Sequence, residues 1–298
     1  MKISLEVANA LKNNEPVVAL ESTIIAHGLP KPDNFSVAQE IEKVVRDAGA
    51  IPATIAVLNG EICVGLDTTQ LSQVANDASM LKLGIRDIAH CVSRKISGAT
   101  TVASTAWIAN LCGITTFATG GLGGVHKGAS ETFDESGDIT ALAQIPIVVV
   151  SSGVKSILDV AATLERLETW HVPVYGWQTL DFPGFWIFDS GFDLTEKVTS
   201  VAEIADIYKF RKVNHFKEAI LIAQPIKKED QFDPKLEEII LNKGLQLAKE
   251  NSITGKAVTP FLLALMHEQS QGQSLKANIA LVKNNALLAA QIAVAISK

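Results

Sequence analysis

The stretch Ile145-Pro146-Ile147-Val148-Val149-Val150-Ser151-Ser152-Gly153-Val154-Lys155 sets the fold. Its opening run is apolar without alternation and rich in β-branched side chains, the mark of a strand buried on both faces. Such strands belong to parallel sheets covered by helices, because parallel neighbours need a crossover between them. Working outward, Pro16 to Leu20, Ile114 to Ala118, Val172 to Tyr175 and Ala219 to Ala223 are further short apolar runs. Helical spacing appears between them. It runs from Ser4 to Asn13, from a Ser36 cap to Gly49, and over Arg86 to Ile96 and Thr100 to Cys112. It returns over Ser156 to Trp170 and Leu194 to Val213, and three more helices follow Ala223. Pro52 to Leu58 and Glu61 to Gly65, joined by Asn59-Gly60, form a hairpin. This alternation predicts a three-layer α/β/α fold with a largely parallel central sheet, residues 1–298 forming one domain with room for a small subdomain. The Phe-, Gly- and Trp-rich segment Asp181 to Asp193 is the candidate lid or subdomain crossing.

Composition excludes several classes of function. Hydrophobic residues make up 47% of the 298 positions and charged residues 19%, which is globular and far from disorder. A net charge of -6 without a basic block gives no electrostatic reason to bind nucleic acid. Cys63, Cys91 and Cys112 are scattered and odd in number, which fits a reducing cytoplasm better than a disulfide framework. The acidic, short-apolar start reads as no signal peptide, and the Ile296-Ser297-Lys298 end as no peroxisomal address. Residues 96–125 lack charge, but their glycines, serines and threonines speak for a packed helix, a strand and a loop rather than a membrane span.

In open parallel sheets ligands bind beyond the carboxyl ends of the strands. Four segments fall there. Glu21 ends the first strand and suits acid–base work, or equally a surface or capping role. Thr119 to Gly124, followed by His126-Lys127, offers glycine backbone and positive charge to an oxyanion, or is a plain flexible loop. Asp134, Glu135 and Asp138 form an oxygen-rich cluster for a hard cation, with helix capping by Ser136 or Asp138 as the alternative. Lys155, read as opening a helix at its positive end, is destabilised as an ammonium and so suited to Schiff-base chemistry; a solvated lysine at a helix start reads the same way. No zinc signature and no Gly-x-Ser-x-Gly elbow is present.

These segments, from Pro16–Ile25 through Gly98–Thr105, Phe117–His126, Lys155–Asp159, Gly176–Thr179, Thr259–Leu263 and Ser274–Asn278 to Asn284-Asn285-Ala286, closely resemble the pseudouridine-5′-phosphate glycosidases, also known as indigoidine synthase A-like proteins. The resemblance implies cleavage of the C-glycosidic bond of pseudouridine 5′-phosphate through a lysine imine. It places the proton donor on Glu21 and the nucleophile on Lys155. It assigns substrate contacts to Lys82, Val102, Ser136, Gly137 and Asp138, and further pocket positions to Thr119, His126 and Asn278. It puts a manganese-type divalent cation on Asp134, and it implies a cytoplasmic homotrimer whose partners are small molecules. A fused sugar kinase, found in some relatives, has no room here. Three positions depart from the family pattern. Ser-Arg-Arg-Asp becomes Gly84-Ile85-Arg86-Asp87, which loosens the alignment of Lys82; Ser-Ala-Asp becomes Ser136-Gly137-Asp138; His-Arg-Gly becomes His126-Lys127-Gly128. Two other functions fit the same residues: another Schiff-base enzyme acting on a sugar phosphate, or a non-catalytic accessory protein of pigment synthesis.

Overall fold

The structure, a computed structural model, describes residues 1–253 and 258–298. The side chains of Thr259, Pro260 and Leu263, within the quoted Thr259–Leu263 segment, lie outside that description. In chain order the strands are β1 (Lys2–Ile3), β2 (Val17–Glu21), β3 (Ile51–Leu58), β4 (Glu61–Val64), β5 (Leu81–Leu83), β6 (Gly98–Thr100), β7 (Thr116–Ala118), β8 (Val125–His126), β9 (Val148–Ser151), β10 (Leu158–Asp159), β11 (Val174–Trp177), β12 (Lys197–Val198) and β13 (Ile220–Ala223). The helices are α1 (Leu5–Lys12), α2 (Asp33–Asp47), α3 (Thr68–Asn76), α4 (Ile85–Ser93), α5 (Val102–Leu111), α6 (Ala129–Thr132), α7 (Gly137–Leu142), α8 (Val160–Thr169), α9 (Val201–Val213), α10 (Pro234–Glu250), α11 (Val258–Gln269) and α12 (Gln273–Ser297), with a π-helical turn at Ile24–Gly28.

The main sheet runs β1-β4-β3-β2-β7-β9-β13-β11-β12, and β5 and β6 extend it beside β3. From β3 to β12 every neighbouring pair is parallel; the antiparallel pairs are the β3–β4 hairpin, β3–β6 and the small β8–β10 ribbon. Helices α2, α12 and α9 pack together on one side, while α5 packs on β2 and β3 with α7 against it. The mostly parallel, helix-flanked sheet is the architecture read from the sequence.

Val148, Val149 and Val150 are fully buried, as their unbroken apolar run requires. Each contributes about 1.5–3 kcal/mol of apolar burial. The uncharged stretch 96–125 divides into β6, α5, β7 and a loop, with α5 buried almost all round. α12 is long and apolar enough to cross a membrane by length and composition, yet here it lies against β2, β7 and β9.

Several boundaries differ from the sequence reading. α2 starts at Asp33, so Ser36 lies inside it and its hydroxyl bonds back to the Asp33 carbonyl at 2.9 Å. The expected helix at Leu194 begins only at Val201, after the short strand β12. The consequential change is at Lys155. The helix expected from Ser156 begins at Val160, capped by Asp159, and residues 158–159 instead pair with β8. Lys155 therefore sits in a loop, and the helix-dipole argument for its activation does not apply.

Candidate active site

Because the strands are parallel, the ends of β2, β7 and β9 open on one edge of the sheet, and a pocket forms there. Glu21, Ile24, His27, Lys82, Lys155 and Asn278 line it, with Phe185 as part of its wall. Glu21 is the last residue of β2, with only 7% of its surface exposed. The next residue fixes that strand end. Ser22 Oγ donates to the Ile55 carbonyl at 2.6 Å and accepts from the Thr100 amide at 2.8 Å, and Thr105 Oγ1 donates to Thr100 Oγ1 at 2.9 Å. The Thr119 hydroxyl donates to Glu21 Oε1. Burial pushes the Glu21 carboxyl above its ordinary pKa; the positive charge of Lys155, the Thr119 hydrogen bond and Lys82 pull the other way and do not cancel it, while Asp138 adds to the rise. Glu21 is thus a buried carboxyl whose pKa is raised, in a pocket that it shares with two lysines.

Lys155 is carried on a turn tied down at both ends. Its amide donates to the Leu122 carbonyl at 3.1 Å, and its carbonyl accepts from the Leu158 amide at 2.9 Å. The β8–β10 ribbon joins this turn to His126. Lys82 projects from β5 and its charge is felt by both Glu21 and His27. Burial, then Lys82, lowers the pKa of His27, and its Nε2 is buried without a hydrogen-bonding partner. His27 was missed in the sequence because it lies on a π-helical turn, which has no simple sequence signature.

The glycine loop serves packing more than ligand approach. A Cβ at Gly121 would come within 2.6 Å of Phe185, and one at Gly123 within 2.2 Å of Ser136 Oγ. The Leu122 amide donates to Gly153 O at 2.9 Å and the Gly123 amide to Asp138 Oδ2 at 2.8 Å, so these two are unavailable to an anion. Asn285 on α12 braces the loop from below, donating to the Thr119 carbonyl at 2.8 Å and to Ser152 Oγ at 3.1 Å. Seven residues earlier on that helix, Asn278 faces the pocket, its Oδ1 buried and unpartnered.

The acidic cluster also resolves into separate roles. Asp138 accepts from Gly123 and, through Oδ1, from the Ala103 amide at 3.0 Å, joining the start of α5 to the loop. Glu135 pairs with Arg166, Nε to Oε1 at 3.1 Å. Only Asp134 keeps a half-exposed carboxylate, 3.9 Å from His126 Nδ1. The three-carboxylate cluster is thereby corrected to one available carboxylate. Among the described residues no group of three or more His, Cys, Asp or Glu could cage a metal. What Asp134 fits is a hard cation that keeps most of its water.

Ser136 caps α7 by accepting from the Asp138 amide at 3.2 Å. A Cβ at Gly137 would meet nothing within 4 Å, so the glycine is no structural necessity there. Val102 opens α5 with its side chain in the core, leaving its backbone as the part that can meet a ligand. Arg86 points to solvent, 82% exposed, and the Gly84 amide donates to Asp87 Oδ2 at 2.9 Å.

An amine and a buried carboxyl of raised pKa at the carboxyl edge of a parallel sheet define an α/β enzyme suited to amine and acid–base chemistry on a small substrate. Residues 6–295 match the family described as indigoidine synthase A like protein, and the chain belongs to that family. It is 50% identical to a pseudouridine-5′-phosphate glycosidase of Salinispora tropica over 296 residues, covering 99% of this chain and 91% of that one. It is 47% identical to a pseudouridine-5′-phosphate glycosidase of Arabidopsis thaliana over 299 residues, covering 100% and 91%. Two crystal structures superpose with a TM-score of 0.91 at 34% identity. One is a prealnumycin C-glycosynthase in complex with ribulose 5-phosphate, covering 99% of this chain and 96% of that one. The other is an indigoidine synthase A-like protein from Thermotoga maritima, covering 100% and 96%.

Proposed function

We propose that this chain reversibly cleaves the C-glycosidic bond of pseudouridine 5′-phosphate, giving uracil and ribose 5-phosphate, with Lys155 as nucleophile and Glu21 as acid. The observation that carries the reading is the pocket that brings Lys155 together with the buried Glu21, whose carboxyl burial pushes above its ordinary pKa. A carbon–carbon glycosidic bond has no leaving heteroatom to protonate, so the paired-carboxylate route of ordinary glycosidases does not serve. Glu21 delivers its proton to the ribose ring oxygen while the Lys155 amine bonds to the anomeric carbon, and the ring opens. The nitrogen lone pair then forms a carbon–nitrogen double bond as the bond to uracil breaks, the electrons of that bond leave with uracil, which takes up a proton, and the sugar is left as an imine of Lys155. One water hydrolyses the imine, releasing ribose 5-phosphate and the free amine.

Lys82 is the candidate phosphate contact, with the backbone at Val102 and the Ser136–Asp138 turn. Asn278, Thr119 and His126 complete the proposed pocket. Asp134 would hold a divalent cation such as manganese, which would supply charge near substrate oxygens. We place the enzyme in the cytoplasm as a homotrimer, with small molecules and neither nucleic acid nor membrane as its partners. The likeness to a C-glycosynthase bound to ribulose 5-phosphate favours, as second reading, a Schiff-base reaction on another sugar phosphate.

The test is reductive trapping. Incubation with ribose 5-phosphate and borohydride should leave a stable secondary amine that peptide mass mapping places on Lys155. Lys155→Ala should lose both adduct and uracil release. A label on Lys82 would mean that the nucleophile is misassigned, an adduct without uracil release would favour the second reading, and no adduct with no turnover would leave a non-catalytic protein.

A further inference from the structure

The pocket has an aromatic wall that the chemistry above does not use. Among the described residues lining it, Phe185 alone carries a phenyl ring. Its backbone is left-handed, with φ at 68°. A bulky side chain rarely adopts that conformation, and it persists only where the surroundings impose it. Here they do. The Phe182 amide donates to the Phe192 carbonyl at 2.8 Å, and the Ser190 amide and hydroxyl donate to the Phe182 carbonyl at 2.9 and 2.7 Å. The Gly184 amide donates to the Ile187 carbonyl at 3.1 Å, and the Phe232 amide to the Trp186 carbonyl at 2.9 Å. The Phe185 ring is tilted 52° to that of the buried Trp186, with centroids 5.0 Å apart.

Two glycines let this segment approach the nucleophile. Gly153 forms a backbone bridge with Gly184, and a Cβ on Gly153 would lie 2.4 Å from the Pro183 carbonyl oxygen. A Cβ on Gly121 would lie 2.6 Å from the Phe185 ring. A side chain at either position would therefore force the segment or the ring to shift. Both glycines adjoin Lys155. Gly153 precedes it by two residues, and Gly121 precedes Leu122, whose carbonyl accepts the Lys155 amide at 3.1 Å. The ring is thus packed onto the chain segments that hold the nucleophile in place.

That placement selects one part of the substrate. When the Lys155 amine bonds to the anomeric carbon, the group on that carbon is brought beside Lys155, and that group is the base. The sugar and the phosphate offer an aromatic ring no π-face, whereas uracil does. We propose that Phe185 is a specificity-determining residue whose ring stacks on the uracil ring of the substrate, holding the base beside Lys155. This inference rests on the glycosidase reading and adds to it the group that recognises the base.

The experiment compares Phe185→Leu and Gly121→Ala with the unmodified chain. It measures the KM for uracil in the direction of synthesis at saturating ribose 5-phosphate. It also measures the rate at which borohydride traps the ribose 5-phosphate adduct, a step in which no base takes part. Phe185→Leu should raise the uracil KM about five- to a hundredfold, the scale of one lost base–aromatic stack. Trapping of ribose 5-phosphate should stay within about threefold per folded molecule. Gly121→Ala, whose methyl group displaces the ring, should show the same split, and combining the two substitutions should add little. An unchanged uracil KM overturns the inference. So does a loss of trapping equal to the loss in uracil use, which is what a wall serving only to pack the loop or exclude water would give. If Phe185→Leu does not fold, Gly121→Ala decides by the same two readouts. If the unmodified chain forms neither adduct nor product, the glycosidase reading fails by itself. Equilibrium dialysis with uracil then decides the role of Phe185: binding weakened in Phe185→Leu supports it, and equal binding or none overturns it.

Discussion

Glu21→Gln is expected to make the protein more stable while it destroys the activity. Burial raises the Glu21 carboxyl above its unfolded value of 4.5, so the folded state binds the proton more tightly than the unfolded state does. Below pH 4.5 both states are protonated, and glutamine, a neutral mimic, differs from glutamic acid by a constant amount. As pH rises past 4.5 the unfolded state releases its proton and the folded state does not, so the folded state loses ground. The slope is about 1.4 kcal/mol per pH unit, continuing until the folded pKa is passed. Glutamine carries no such linkage. The gap in favour of Glu21→Gln should therefore open from pH 4.5 upward and level off above the folded pKa, reaching about 1.4 kcal/mol for each unit of the shift. Urea unfolding of both proteins at closely spaced pH values between 4 and 8 measures it, and the titrating groups that do not interact with Glu21 cancel in the difference. Uracil release by the same variant should fall about 10²–10⁴-fold, as for loss of a general acid. Parallel stability curves across that range would refute the raised pKa and, with it, the assignment of Glu21 as a stored proton.

Three further outcomes are expected. Exhaustive chelation should abolish turnover and added manganese restore it, with Asp134→Ala imitating the chelated protein; full activity after chelation removes the cation from the proposal. Pseudouridine 5′-phosphate should be cleaved with a far larger kcat/KM than pseudouridine, and Lys82→Ala should narrow the ratio; equal constants for the two substrates exclude a phosphate contact. Asn285→Ala should cost about 1–3 kcal/mol in denaturant unfolding, because it orphans the buried Thr119 carbonyl and Ser152 hydroxyl; an unchanged midpoint would show that the brace is dispensable.

The strands were legible because a strand covered on both faces must be apolar throughout, and Val148 to Val150 meet that demand fully. Elements set by non-local pairing were harder to see. The strands β5 and β6 are three residues each, and their partners lie on β3 or on each other. Thr100 was read as the start of a helix, whereas its hydroxyl and amide are taken by Ile55 and Ser22 in the sheet. Glu21 and Lys155 could be picked out as strand-end residues, but their environments could not. The carboxyl pKa is raised by burial that only the assembled pocket creates, and the helix expected at Ser156 was displaced by pairing of Leu158-Asp159 with β8. The acidic cluster misled for a similar reason: spacing cannot show that Arg166, Ala103 and Gly123 already engage Glu135 and Asp138.

The brace from Asn285 also carries a lesson about timing. Synthesis runs from the amino end, so Glu21, Lys82, Thr119 and Lys155 all leave the ribosome before α12 does. Until that helix arrives, the Thr119 carbonyl and Ser152 lack their shared partner, and the pocket lacks Asn278. A chain lacking α12 would carry Lys155 without the brace that orders the loop beside it. The pocket is therefore complete only once α12 has docked on β2, β7 and β9.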